Sequence, residues 1–306
     1  MTRWLPLASG SALTIIILAM MSRDYPLIGF DFKYFIPRLI DTALHLKQNG
    51  WAIQWYSPTF GGGLPAFPSP HHLQYSLAQA LTVVFNPWWA ILLSTAIVTL
   101  AGFSACVALC RRHLQLCTFS STLCAIFFCG NGFYLERMIV GHLNYQLFPL
   151  TSCLLFLLLN RSLGVVINAA AVGLLVAAMV NNAGYHLILI VSMSICLTIA
   201  ILEVMGLRLP LRRVLISATI GIGWSLVICA VKVHAVLSLM QQFPREISDV
   251  NSFGVPHSLV GLVAQFSTVM VLTPLFWAAR LNVADVPGAL VDVMYGWPKF
   301  GVRARP

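Results

Sequence analysis

The sequence predicts an all-α polytopic membrane protein, and three observations carry that expectation. Of 306 residues, 59% are hydrophobic and only 9% charged, with a mean hydropathy of +0.86, whereas a soluble domain carries about a quarter charged residues. Apolar runs of spanning length recur along the chain, a membrane helix needing about 20 such residues. Lys and Arg stand at the ends of those runs rather than in blocks. The net charge of +9 therefore reads as loop charge at a membrane surface, and nucleic-acid binding is set aside.

Taken in order, the first run, 4–21, follows a single early arginine. It has the length of a span and lacks an A-x-A-like cleavage site, so it reads as an uncleaved first helix rather than a signal peptide. Further spans are expected near 87–110, 115–133, 143–160, 163–180, 185–206, 213–239 and 257–279, making eight. The string "CGNGF" interrupts the 115–133 run. This transmembrane domain covers 1–280, and residues 281–306 form a short tail.

Residues 22–86 are expected to be one long outer loop. From Phe32, apolar residues recur at Phe35, Ile36, Leu39, Ile40, Ala43 and Leu44, while Lys33, Arg38, Asp41, His45 and Lys47 take the other side. That period is helical with a wide apolar face, which suits a helix lying in the membrane interface. Pro37 implies that the regular helix begins near it, and Asn49-Gly50 ends it. "WAIQWYSPTFGGGLPAFPSPHH", 51–72, is irregular and aromatic, so it is expected to line a cavity where protein or water satisfies its backbone. "LQYSLAQALTVVF" predicts a second short interfacial helix.

Basic residues orient the chain. With the N-terminus inside, Arg3, Arg111, Arg112, Arg161, Arg208, Arg212, Arg213, Arg280, Lys299, Arg303 and Arg305 fall on the cytoplasmic side. The outer cations Arg23, Lys33, Arg38, Lys47, Arg137 and Arg245 are matched one for one by acids. Both termini are therefore expected to be cytoplasmic. The eight cysteines lie in or beside apolar runs and read as packing residues, with neither a disulfide framework nor a zinc site indicated. Neither a metal nor a cofactor is expected.

The order of parts, a first helix, an acid just past its outer end in "GFDFKYFIPRL", an interfacial helix and an aromatic Pro-Gly loop, resembles the C-type membrane glycosyltransferases that use polyprenyl-phosphate-linked sugars. "GHLNYQLFPL" and "KVHAVLSLMQQFPRE" are similar to segments of the YfhO-like membrane proteins in particular. The resemblance covers about residues 4–250. It implies sugar transfer on the extracytoplasmic face of the inner (plasma) membrane, with Asp31 as the catalytic acid by position. It also implies Lys232, Arg245, Arg137 and Arg38 as cations for the donor phosphate, with His142, His234 and Glu136 nearby. Related proteins are usually longer, so a chain ending at Pro306 is expected to lack much of the acceptor side, and no second acid stands beside Asp31 to form a metal motif.

Read from the residues alone, each of these positions has a plainer role. Asp31 serves equally as the N-cap of the interfacial helix. Lys232 serves equally as a lysine reaching from the outer edge of its helix to the interface. Glu136, Arg137, His142 and Asn144 are expected in a short outer turn, where the charges are solvated and His142 enters a helix. His186 and the pair His71-His72 rank below them. A second expectation stands beside the enzyme: a non-catalytic subunit of a larger membrane complex, packed through small residues such as Ala169 and Gly173. The expected partners are the lipid-linked sugar, membrane lipids and other membrane subunits.

Overall fold

A computed structural model describes residues 4–22, 31–58, 63–207 and 209–243. The expected 257–279 span, Arg245 and the 281–306 tail lie outside the described residues. Residues 131–136 belong to a separate unit of the chain from the rest of what is described. Within it, Asn131 Oδ1 accepts a hydrogen bond from the Tyr134 amide at 2.9 Å.

Among the described residues the regular elements are helices, apart from one pair of two-residue strands. In order it forms α1 (Leu5–Met21), α2 (Phe32–Asn49), β1 (Tyr56–Ser57), β2 (Leu64–Pro65), α3 (Leu77–Leu81), α4 (Pro87–Arg112) and α5 (Thr118–Cys129). There follow α6 (Gly132–Val140), two 3-10 turns, α7 (Thr151–Leu159), α8 (Val165–Asn181), α9 (Tyr185–Val204) and α10 (Leu211–Gln242). Among the described residues α4, α9 and α10 are each long and apolar enough to cross a membrane, and α5 with α6 pass the same test as a bent pair. Helices α1 and α8 are apolar but shorter, at 17 residues each.

The helix ends follow local chemistry. The Asn86 side chain accepts from the Trp89 amide at 2.9 Å to start α4, Pro87 occupies the first turn, and Arg111 and Arg112 stand in the last. Each choice suits the unpaired groups and partial charge of that helix end. The expected 143–160 span opens instead as 3-10 turns, Leu143–Tyr145 and Phe148–Leu150, before α7. Gln146 sits between those turns and donates to Ser94 Oγ at 2.7 Å and Thr95 Oγ1 at 2.8 Å on α4, so the irregular stretch is tied to its neighbour.

Three local expectations are corrected. The regular helix of α2 begins at Phe32, five residues before Pro37, because Asp31 O accepts from both Tyr34 and Phe35 amides. The second interfacial helix shrinks to the five residues of α3, started by Ser76 accepting from the Gln79 amide. Glu136 and Arg137 lie in α6 rather than in a turn.

Helices α8 and α10 pack closely. A Cβ on Gly173 would lie 2.8 Å from the Gly221 carbonyl, and one on Gly221 would lie 2.8 Å from Val172 Cγ1. Ser217, Gly221, Ser225 and Cys229, four apart, make the buried stripe of α10, so the two backbones approach with little between them. Across the same seam Cys229 Sγ faces the Ala177 carbonyl at 3.7 Å.

Helix α2 is covered on both sides. Phe32, Phe35 and Leu39 face the core, and Phe32 meets Trp88 of α4 edge to face at 5.4 Å. Contrary to the expected division into an apolar and a wet face, Arg38 and Asp41 are buried while Ile40 and Leu44 are exposed. The 51–74 segment explains this, since Gln54 Nε2 donates to Asp41 Oδ2 at 2.5 Å and Arg38 donates to Ser69 Oγ at 3.3 Å. Charged side chains are buried here because that segment supplies their partners.

Candidate functional site

The first cluster is assembled by the end of α6. The Gly141 amide bonds to the Met138 carbonyl and the His142 amide to the Arg137 carbonyl, the paired bonds of a Schellman-type helix end. Gly141 has φ +84°, and a Cβ there would lie 2.6 Å from the Phe32 amide nitrogen. Only glycine both adopts this backbone and admits the start of α2 so closely. The Asp31 amide in turn donates to the Val140 carbonyl at 3.0 Å. The two helix termini are thereby joined, and the side chains on either side of the junction meet.

His142 Nε2 lies 2.6 Å from Asp31 Oδ2. His142 Nδ1 lies 3.1 Å from Arg137 Nη1. A guanidinium only donates, so the network assigns Nδ1 as the acceptor and places the proton on Nε2, where it is donated to the carboxylate. Burial and the Arg137 charge lower the His142 pKa and Asp31 opposes them, with a net shift downward. The imidazole is therefore neutral at pH 7. Tyr145 closes the cluster, stacked on His142 at 6.2 Å and lying under the Arg137 guanidinium at 5.4 Å.

Although Asp31 stands at the N-cap position of α2, its side chain makes no capping hydrogen bond. The carboxylate is turned to His142, and its side chain is 46% exposed. One oxygen is held and the group as a whole is reachable.

The second cluster lies beneath the 63–72 loop. Lys232 Nζ on α10 donates to the Phe67 carbonyl at 2.5 Å and the Ser69 carbonyl at 3.1 Å, and sits 4.8 Å from the Phe67 ring centre. The lysine does not reach for the interface: it is 2% exposed, and α10 continues ten residues beyond it, about 15 Å of helix. Arg38 lies 4.1 Å over the Tyr34 ring, and its pKa is lowered by burial, with Tyr34 acting the other way. His72, ranked low from the sequence, is buried in this cluster.

Outside the loop an open cleft of about 440 Å³ runs between Trp55, Pro65 and Pro68 on one side and α10 from Val231 to Phe243 on the other, with His234 in its wall. A cavity beside the 51–72 segment is thus present as this cleft, and Asp31 is not among the residues lining it. The loop's aromatics pack on one another: Trp55 against Phe67 at 5.6 Å and Trp51 stacked on Tyr75 at 6.3 Å. Tyr75, at φ +66°, is held in this uncommon conformation by its amide bond to Gln79 Oε1 and its hydroxyl bond to the Trp51 carbonyl.

Of the expected site residues, the structure thus joins Asp31, His142 and Arg137, and separately joins Arg38 and Lys232. His234 is in the cleft wall, and Glu136 is buried in α6. His186 is the second residue of α9. The residue that sequence reasoning undervalued is His72, whose only local signal is its place in a proline-rich loop. Comparison with protein-family models, curated proteins and solved structures gave no match to the chain.

Proposed function

We propose that the chain is a membrane glycosyltransferase-like protein that transfers a sugar from a polyprenyl-phosphate donor on the outer face of the inner membrane. The observation that carries this reading is the Asp31–His142 pair, an exposed carboxylate oriented by a neutral imidazole at the start of an interfacial helix. The reaction needs that arrangement. Asp31 takes the proton of the acceptor hydroxyl as its oxygen attacks the anomeric carbon, the bond from that carbon to the phosphate oxygen breaks, and polyprenyl phosphate leaves with the electron pair. Attack opposite the leaving group inverts the anomeric centre.

His142 orients the carboxylate, and Arg137 fixes the tautomer that lets it do so. Arg137 is also the cation nearest at hand for the leaving phosphate. Arg38, Lys232 and Arg245 are the remaining cations proposed for it, and Arg38 and Lys232 must first give up Ser69 and the loop carbonyls. In the same reading the chain crosses the inner membrane several times with both termini in the cytoplasm. Membranes carrying the Asp31→Asn protein, supplied with polyprenyl-phosphate sugars, test the proposal: unchanged sugar transfer by that variant removes it.

A second reading, a non-catalytic subunit of a larger membrane complex, is favoured by α9. Among the described residues this 20-residue apolar helix buries Leu187, Val191 and Leu202 and no others, leaving a face for lipid or for a partner helix. Co-purification of a defined partner in mild detergent supports it, and a solitary active monomer sinks it.

A further inference from the structure

His72 is 1% exposed, and among the described residues neither of its ring nitrogens has a hydrogen-bond partner, an unusual cost for a buried polar group. It is carried by the loop, and the charges that act on it are Lys232 from α10 and Arg38 and His45 from α2. The acid of α2, Asp41, is bonded to Gln54 and is not among them. The loop itself is fastened at two points, by Lys232 to the carbonyls of Phe67 and Ser69 and by Arg38 to Ser69 Oγ. Its outer side is one wall of the 440 Å³ cleft.

The geometry points to a lid: with His72 neutral, the 63–72 segment is strapped to α2 and α10, and proton uptake by His72 releases it, widening the cleft and freeing Lys232 and Arg38. A buried imidazolium beside Lys232 and Arg38, with no acid among the charges that the described residues bring to bear on it, is repelled. Helices α2 and α10 carry continuous backbone hydrogen bonding, whereas the loop rests on the short β1–β2 pairing, the bonds of Ala66 to Trp55 and Phe67 to Gln54, and turn bonds at Ser69 and His72. The loop is therefore the part that yields.

The direction follows from linkage. His72 has its ordinary pKa of about 6.5 in an open, solvated loop. In the closed one it is held well below that value, by burial first and then by Lys232, Arg38 and His45. The closed state is fully favoured above pH ~6.5 and loses stability about tenfold per pH unit below it, until the closed-state pKa is passed. This switch is independent of the chemistry assigned to Asp31.

Amide hydrogen exchange on the full chain in detergent tests it, between pH 5 and 8, with rates corrected for the intrinsic effect of pH. Protection of the 63–74 amides should fall about tenfold per pH unit below ~6.5, while the amides of α8 and α10 stay protected. His72→Gln should keep the loop protected at every pH, and Lys232→Met should leave it exchanging fast at every pH. Flat protection of the loop in the wild-type chain overturns the lid, as does a His72→Gln protein that retains the slope. His72→Phe serves as the second neutral variant if the amides of α8 and α10 report that His72→Gln has not folded.

Discussion

Gly173 of α8 and Gly221 of α10 meet backbone to backbone: a single added Cβ on Gly173 would stand 2.8 Å from the Gly221 carbonyl. Gly221→Leu should therefore destabilise the protein by about 1–3 kcal/mol through overpacking, read as a lowered thermal midpoint in detergent. Gly223→Leu is the control, since nothing lies within 4 Å of a Cβ at that position. Equal loss in both would show that the seam is not the cause.

Asp31→Asn removes the proposed base yet keeps an oxygen able to accept from His142 Nε2. Sugar transfer should fall by about 10²- to 10⁴-fold, the usual worth of a positioned base, with the thermal midpoint close to wild type. A parallel collapse of stability would instead make Asp31 a structural anchor for the α2–α6 junction.

Arg137→Gln removes the second-ranked cause of the lowered His142 pKa, after burial, so that pKa should rise. His142 would then protonate at a higher pH, and the acid limb of the activity profile should move upward. The sign is specific, because loss of a phosphate-binding cation alone would weaken donor binding without moving the limb. The readout is kcat/KM for the donor against pH.

The orientation has its own test, in a background where the exposed Cys117, Cys124 and Cys196 are replaced by serine. Asn49→Cys should react with an impermeant reagent in intact cells. Ser162→Cys should react only after the membrane is opened. Labelling of both from the same side overturns the topology drawn from the basic residues.

How much of this was legible in advance depends on the range of the physics. Helix α2 could be read because its period is local, and α4 because its apolar run begins near residue 87. The late start of α7 has a signal too, Pro149, but the apolar run continues through it and hides it. The burial of Arg38 and Asp41 was not legible, since it depends on Ser69 and Gln54 in a loop whose path no periodicity dictates. The same holds for His142 meeting Asp31 across more than a hundred residues. "GHL" did carry a structural message, glycine at the end of a helix, but the residue it delivers His142 to is written elsewhere. Lys232 looked like a lysine seeking water because its acceptors, two backbone carbonyls, have no sequence signature at all.

The seam between α8 and α10 has a mechanical consequence. Where side chains interlock, one helix can roll against another by changing rotamers, but where peptide planes touch there is no such slack. The two helices then behave as a single strut. Near one end Arg213 grips the carbonyls of Arg161 and Leu163, and 19 residues further along α10, about 28 Å away, Lys232 holds the loop. A push on the 161–164 turn would be carried along α10 to the loop that Lys232 holds.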